Sequence, residues 1–150
     1  MKVQQIMTRD VECIQPDRTL QEAASRMKAL DVGALPVCGN NRLEGMITDR
    51  DIVVRAIAEG RDPRQEKVGE AMTRELACCA EDQEVEEAAR LMDAKQIRRL
   101  AVINGNRQLV GILALADLAV GSGSPQLTGR TLERISQPEG SMPAVEATPY

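Results

Sequence analysis

The chain has 150 residues, a hydrophobic share of 43% and a net charge of −4 at pH 7, so it is long enough to bury a core. It contains no His, Phe or Trp, which removes the commonest zinc ligand, the commonest general base near neutral pH and the rings on which nucleic-acid bases stack. Together with the negative charge, this composition argues against a broad nucleic-acid surface.

The first half of the chain predicts an entry segment with a short extended stretch, then a helix, two strands and a second helix. Thr19 and Glu22 form a capping-box pattern at the first helix, and Gly33 is expected to stop it. The apolar residues of that helix fall at helical spacing: Leu20, Ala23, Ala24, Met27 and Leu30. Apolar runs at 34–38 and 43–47 flank a turn and predict a hairpin. The second helix begins near Thr48 and is expected to bury Ile52, Val53, Ala56 and Ile57.

The second half of the chain repeats the first. VQQIMTRDVEC at 3–13 matches VGEAMTRELAC at 68–78, and LPVCGNNR at 35–42 matches LAVINGNR at 100–107. The predicted order is therefore strand, helix, strand, strand, helix in each copy, with strands at 100–103 and 109–113 in the second. Four methionines recur in register and are expected in the core: Met7, Met27, Met72 and Met92. A unit this small buries little surface alone, so the copies should pack together.

Composition divides the chain into four segments. The first repeat spans 1–60, a polar linker 61–67, the second repeat 68–122, and a tail 123–150. The tail is rich in Gly, Ser and Pro, so it is expected to be flexible, with a possible short docking helix at 131–136.

The cysteines and the apolar runs bear on location. The chain has four cysteines and no CxxC pair: Cys13, Cys38, Cys78 and Cys79. This pattern favours the interpretation that they are small buried hydrophobic side chains in a reducing cytosol. No apolar run approaches the ~18 residues that cross a membrane, and the first ten residues lack the apolar core of a signal peptide. We therefore expect a soluble cytoplasmic protein.

Several phrases in register carry a family resemblance. The tandem unit, the Met-Thr near each start, the strand GALPV and the junction GMITDRD together resemble a CBS domain pair, or Bateman module. TDRDIVVRAIAEGRDP and IRRLAVING resemble small stand-alone bacterial proteins of that family. The resemblance covers about residues 1–120. It implies an α/β fold in which two small three-stranded sheets pack face to face under a pseudo-twofold axis, with helices outside.

The resemblance also implies a function. Family members are sensors rather than enzymes: they bind adenosyl ligands such as AMP, ADP, ATP or S-adenosylmethionine, and an effector protein responds to their change of shape. They usually form disc-like homodimers. We accordingly expect no catalytic residue, no required cofactor, no metal, no membrane and no nucleic acid, with the adenosyl molecule as regulatory ligand.

Each expected cleft takes residues from both repeats. By resemblance, the Asp51 carboxylate accepts from ribose hydroxyls, Thr48 contacts ribose or phosphate, and Arg50 adds counter-charge. The same cleft would be completed by Thr73, Cys78, Ile97, Arg98 and Arg99. Because adjacent residues on a strand face opposite sides, one of the two arginines should reach phosphate. The other cleft would join Asp117 with Thr8, Cys13, Val32, Gly33 and Ala34.

A purely structural interpretation of the same residues remains open. Thr48 as N-cap and Asp51 at the third helical position stabilise a helix without any ligand. The second repeat keeps Asp117 but replaces the threonine by Ala114, and an acid without a capping partner favours a ligand role. The alternative function is a ligand-independent dimerisation and protein-interaction scaffold. An enzyme is disfavoured because no nucleophile–base pair is visible.

Overall fold

Two copies of one unit make up the computed structural model, which describes residues 1–74, 76–121 and 123–136. The first copy contains a 3₁₀ turn (Val3–Gln5), α1 (Leu20–Leu30), β1 (Ala34–Gly39), β2 (Arg42–Thr48) and α2 (Asp49–Asp51), which continues as a π-helical segment (Ile52–Ile57). The second contains α3 (Val68–Ala71), β3 (Cys78–Ala80), α4 (Val85–Lys95), β4 (Arg99–Ile103), β5 (Leu109–Ala114) and α5 (Leu115–Gly121). A last helix, α6 (Pro125–Ile135), follows.

The strands form two small sheets. In the first, β1 and β2 pair antiparallel, and the bridge between Ile14 and Val37 stands where a third strand was predicted. In the second, the order is β3-β4-β5, with β3 parallel and β5 antiparallel to β4. Cys38 and Leu43 of the first sheet pack with Ala101 of the second, so apolar side chains join the two sheets. The predicted tandem α/β fold is confirmed, with three strands in only one of the sheets.

The leading segments of the two repeats, residues 3–13 and 68–78, cross over. The Thr73 N–H donates to the Met46 carbonyl at 2.8 Å, and the Met46 N–H returns a bond of 2.9 Å. The same pair of bonds joins Thr8 to Ile112, at 2.9 and 3.0 Å. Each leading segment therefore adds to the hairpin of the other repeat, which gives the fold its pseudo-twofold symmetry.

Two glycines make these crossings possible. A Cβ at Gly45 would lie 2.6 Å from the Thr73 carbonyl oxygen, and one at Gly111 would lie 2.7 Å from the Thr8 carbonyl oxygen. Both distances are well below van der Waals contact, so a side chain at either position would push the crossing backbone away.

The exchange also builds the two cores. Ile14, Leu20, Leu35 and Ile47 of the first repeat bury together with Val68, Ala71 and Met72 of the second leading segment. Val3 and Met7 reciprocate by packing among the buried residues of the second repeat. All four methionines expected in the core are buried. Neither repeat closes its core alone, since each needs the other's leading segment.

The ends of the first helix in each repeat follow one plan. The Thr19 hydroxyl accepts from the Glu22 N–H at 3.2 Å, as the capping-box pattern predicted. The stop predicted at Gly33 is wrong: α1 ends in a left-handed Asp31 at φ 55°, and α4 ends in Gln96 at φ 52°. Asp is one of the few side chains that tolerate this conformation, so no glycine is needed.

The helix after the first hairpin is less buried than expected. Ile52 and Ala56 are buried, as predicted. Val53 and Ile57 are 56% and 50% exposed, so the prediction that they are buried is wrong. Apolar periodicity marks a face, but it does not say whether the same chain covers that face.

The tail begins with a helix longer than the short one predicted. α6 starts at Pro125, with the Ser124 hydroxyl accepting from the Leu127 N–H at 3.2 Å. It packs on α4 and α5, and Arg134 pairs with Asp93 at 3.2 Å. Residues 137–150, the rest of the expected flexible tail, lie outside the described part of the chain. Within the part described, no helix has the length and apolar character to span a membrane.

Candidate functional site

A cavity of about 280 Å³ lies between the repeats, beside the crossing of the second leading segment over β2. Its apolar lining comes from Ala34, Met46, Leu76, Ala77, Ile97 and Ala101. Four polar side chains complete the lining: Thr48, Thr73, Arg98 and Arg99. A slot with mostly aliphatic walls and a few convergent polar groups has the usual character of a small-molecule site.

The junction between β2 and α2 brings a carboxylate next to this cavity. The Thr48 hydroxyl accepts from the Asp51 N–H at 3.0 Å, and Asp51 Oδ2 accepts from the Thr48 N–H at 3.0 Å. This is a complete capping box, so the structural role predicted for the pair is present. The other oxygen, Oδ1, lies 3.5 Å from the Thr73 hydroxyl and 3.7 Å from Arg55 Nε.

Asp51 itself is nearly covered. It is only 8% exposed, and it lies behind the lining formed by Thr48 and Thr73. A ligand in the cavity therefore meets the two hydroxyls first. The Asp51 carboxylate accepts from the Thr73 hydroxyl, whereas the Thr48 hydroxyl is held by the Asp51 backbone N–H.

Both arginines of the sequence IRRLAV border the cavity. The alternation of a strand predicted that Arg98 and Arg99 face opposite sides. However, β4 begins only at Arg99, and the Arg98 carbonyl accepts from the Leu115 N–H at 2.9 Å, so the pair sits at a strand end. Both side chains are exposed and line the cavity. They give one edge of it two positive charges.

Two residues expected around this cleft, and one expected in the other cleft, are placed differently. Arg50 lines a shallow groove with Asp49, Val53 and Val54 on the outer face of the first repeat. Cys78 is half-buried against the apolar cluster that joins the sheets, where burial raises the pKa of its thiol. Ala34 was expected in the other cleft, but it lines this one.

The residues expected around Asp117 are more dispersed. Asp117 Oδ2 accepts from the Ala114 N–H at 2.8 Å, which is half of a capping box. Asp117 therefore has a structural partner, the Ala114 N–H, although the second repeat lacks the threonine. The presence of Asp117 without that threonine is thus a weaker argument for a bound ligand than the sequence indicated. Thr8 meets the adjacent strand through its backbone, while Val32 is 43% exposed at the end of α1.

The last two residues of that set have other neighbours. A Cβ on Gly33 would approach the Asp49 carboxylate to 3.0 Å, so Gly33 lies against the start of α2. Cys13 lines a separate cavity of about 510 Å³ beside Cys38 and the turn residues Asn40 and Asn41. The Asp117 cleft therefore stays a prediction.

Sequence reasoning missed several of the apolar residues in the lining. Met46 follows the glycine of GMITDRD, and Leu76 and Ala77 directly precede the predicted Cys78. The crossing of the leading segment brings them to the cavity. No local sequence pattern marked these residues, because the crossing pairs two segments that are far apart in the chain.

The family follows from the sequence match together with this architecture. The model of the CBS domain family matches the chain twice, over residues 3–57 and 68–120. The chain belongs to the CBS domain family. A CBS pair is a regulatory module, and the two matches correspond to the two copies that exchange their leading segments.

Similar proteins span most of this CBS pair. The CBS domain-containing protein YhcV of Bacillus subtilis is 46% identical over 134 residues, which cover 89% of this chain and 94% of that protein. Hypoxic response protein 1 of Mycobacterium tuberculosis is 41% identical over 115 residues, covering 76% and 80%. This chain is also similar to a solved structure, Hypoxic Response Protein I with two coordinated zinc ions. The TM-score is 0.74 and the identity 38%, and the match covers 81% of this chain and 98% of that one.

A second similar structure contains adenosyl ligands. The CBS domain pair of protein MJ0100, solved with 5′-methylthioadenosine and S-adenosyl-L-methionine, has a TM-score of 0.71 and 26% identity, covering 82% of this chain and 96% of that one. The zinc of the previous structure has no evident counterpart here: among the described residues of this CBS pair, no three His, Cys, Asp or Glu side chains are grouped to hold a metal ion.

Proposed function

We propose that this CBS pair is a cytoplasmic sensor of an adenosyl ligand, AMP, ADP, ATP or S-adenosylmethionine, and that it signals to an effector protein by a change of shape. The observation that carries the proposal is the cavity in which aliphatic walls, two hydroxyls and two arginines converge. The adenosyl ligands of the similar MJ0100 pair support the ligand class.

The walls suit a purine. Ile97, Met46 and Leu76 give the cavity aliphatic surfaces, and the chain has no Phe or Trp with which to stack a base. An adenine would therefore be held by van der Waals contact and burial, which are weakly selective. Selectivity must come from the polar edge.

The polar edge suits a ribose and an anion. Thr48 and Thr73 present hydroxyls that both donate and accept, and Asp51 Oδ1 lies behind them as an acceptor for a diol. Arg98 and Arg99 supply donors for a phosphate or a carboxylate, two groups that guanidinium binds well. A change in the ligand's charge would be felt first at these arginines.

Binding is tested by titration calorimetry with each of the four ligands. Arg99→Ala removes an exposed side chain, so the fold should persist, while affinity for a phosphate ligand should fall by about 10- to 100-fold, the cost of a charged hydrogen-bond partner. Arg42→Ala, also an exposed arginine on a strand, is the matched control and should bind normally.

A second variant addresses the ribose. Asp51→Asn keeps the size of the side chain but replaces an acceptor oxygen, so affinity for every adenosyl ligand should fall by a similar factor. Asp117→Asn reports on the other cleft. The sensor proposal fails if no ligand at ~1 mM gives heat or raises the unfolding midpoint, since a ligand at 100 times its dissociation constant adds about 2.7 kcal/mol.

We also propose that the pair acts as a homodimer. Val53, Val54 and Ile57 form an exposed apolar patch on the outer face of the first repeat. Patches of this kind on a small protein commonly mark an interface. Ile57→Glu should therefore convert a dimer into a monomer in sedimentation velocity, and an unchanged sedimentation coefficient would remove the patch from consideration.

The second candidate is a ligand-independent scaffold that dimerises and holds a partner protein. It is favoured by the complete capping box of Thr48 and Asp51, which needs no ligand. A dimer that binds none of the four ligands would support it over the sensor.

A further inference from the structure

Two cysteines, Cys13 and Cys38, lie near each other where the first leading segment joins β1. Cys13 is exposed, whereas Cys38 is buried at 8% exposure. Both residues line one cavity, and burial of Cys38 together with the neighbouring Cys13 raises the pKa of the Cys38 thiol to about 12. The expectation that every cysteine is a small buried hydrophobe is therefore wrong for Cys13.

The backbone holds the two residues beside each other. The Ile14 N–H donates to the Pro36 carbonyl at 2.9 Å, and the Cys38 N–H donates to the Ile14 carbonyl at 3.0 Å. Arg26 Nη1 donates to the Cys13 carbonyl at 2.8 Å, which fixes the backbone of Cys13 just before the β-bridge at Ile14. Both thiols also line the cavity of about 510 Å³ beside the hairpin turn, so small molecules can reach them.

We propose that Cys13 and Cys38 are an oxidation site, at which a hydroperoxide is reduced and an intramolecular disulfide forms. The site is separate from the candidate adenosyl cavity, which neither thiol lines. The proposal is independent of the sensor function and stands or fails without it.

The chemistry proceeds in two steps. The exposed Cys13 sulfur, as thiolate, attacks the hydroperoxide; an S–O bond forms, the O–O bond breaks, and water or an alcohol leaves. The Cys38 sulfur then attacks the sulfenic sulfur of Cys13, an S–S bond forms, the S–O bond breaks, and the departing hydroxide takes the Cys38 proton as water. The two thiols lose two electrons and two protons in all, and the peroxide is reduced.

The other two cysteines provide the contrast. Cys78 and Cys79 are neighbours on β3, so their side chains face opposite sides of the strand. Burial raises the pKa of both thiols, to about 11 for Cys79, which keeps them protonated at neutral pH. They should react slowly, and they serve as internal controls.

The test treats the reduced chain with one equivalent of hydrogen peroxide and then alkylates the remaining thiols with iodoacetamide. We expect a mass loss of two hydrogen atoms, two alkylated cysteines instead of four, and a cross-linked pair of tryptic peptides that contain Cys13 and Cys38. Trypsin cuts between these residues, after Arg18 and Arg26, so the bridge must appear as two joined peptides. Dithiothreitol should restore four alkylated cysteines.

Two variants make the outcome decisive. Cys13→Ser changes an exposed residue, so the fold should persist and the cross-link should vanish. Cys78→Ser should leave the cross-link in place. Oxidation should also raise the unfolding midpoint of the unaltered chain by about 5 °C, because the bridge closes a loop. Four alkylated cysteines after peroxide, oxygen adducts on Cys13 without a bridge, or a bridge between other cysteines or chains would each overturn the proposal.

Discussion

The junctions between hairpin and helix in the two repeats start from the same plan and end differently. In the first repeat, Thr48 and Asp51 form both halves of a capping box. In the second, Ala114 offers only its N–H, which Asp117 accepts at 2.8 Å. The crossing strands beside the two junctions are nearly identical, with bonds of 2.8–3.0 Å at Thr73 and Thr8. The repeats therefore preserve the scaffold and diverge in the polar groups at the junction between hairpin and helix.

The outer faces of the repeats differ as well. On the second repeat, α6 packs on α4 and α5, and Leu127 and Ile135 bury against its core. On the first repeat, Val53 and Ile57 stay exposed. The second repeat is covered by a helix of its own chain, while the first leaves an apolar face exposed. The two repeats therefore differ both at the junction between hairpin and helix and at the outer surface.

The largest effect should come from the shared scaffold. Gly45→Ala places a Cβ 2.6 Å from the Thr73 carbonyl oxygen, and Gly111→Ala places one 2.7 Å from that of Thr8. Each should lower the free energy of unfolding by about 2–3 kcal/mol, the cost of overpacking against backbone. Urea unfolding followed by circular dichroism measures both. Similar losses would show that the two crossings bear equal weight.

The control for these variants is a glycine with open space around it. A Cβ at Gly105 would meet nothing within 4 Å, so Gly105→Ala should change the stability by no more than about 0.5 kcal/mol. If Gly45→Ala is as mild as Gly105→Ala, the crossing is not under the steric constraint described here. If Gly111→Ala alone causes only a small loss in the free energy of unfolding, the two crossings are not equivalent and the pseudo-symmetry of the scaffold is broken.

The sequence was sufficient for the parts of the fold that depend on local pattern. The repeat, the two hairpins and the caps at Thr19 and Thr48 follow from periodicity and capping chemistry, and their predicted bounds lie close to those observed. It also brought together five residues that do line the central cavity: Thr48, Thr73, Ile97, Arg98 and Arg99. That grouping rested on family resemblance, because no local pattern links a residue at 48 with one at 98.

The wrong predictions all concern tertiary contacts, which local sequence does not determine. The burial of Val53 and Ile57 was wrong because periodicity identifies an apolar face without identifying what covers it. The prediction that Cys13 is buried was wrong because the exposure of a side chain depends on the path of an irregular segment, which local sequence hardly constrains. Ala34 was assigned to the other cleft because the geometry of the crossing decides which side of the interface each strand end faces.

A smaller effect should separate the two junctions. Thr48→Ala removes the hydroxyl that accepts the Asp51 N–H, so the free energy of unfolding should fall by about 1 kcal/mol without ligand. Ala114→Thr supplies the same hydroxyl in the second repeat and should raise it, by up to about 1 kcal/mol. Both are measured by urea unfolding. A loss in Ala114→Thr would mean that its backbone is not positioned as an N-cap, and the comparison of the junctions would have to be restricted to the first repeat.

The smallest effect concerns the starts of α1 and α4. Where α1 has Thr19 as its cap, α4 has Glu84, which pairs with Lys2 Nζ at 2.8 Å and with the terminal amine at 3.1 Å. A hydrogen bond from Lys2 first, and then one from the terminal amine, lower the pKa of Glu84 in the folded chain. The stabilisation is therefore present above the unfolded pKa of about 4.3 and is lost as the pH falls through the lower folded value.

Glu84→Gln should slightly lower the unfolding midpoint at pH 7 and leave it unchanged at acidic pH, with the difference shrinking in 1 M salt. Glu86→Gln, also in the first turn of α4, controls for the interaction with the helix dipole. If the two variants lose stability equally at pH 7, the helix dipole accounts for the effect and the pairing with Lys2 contributes nothing measurable.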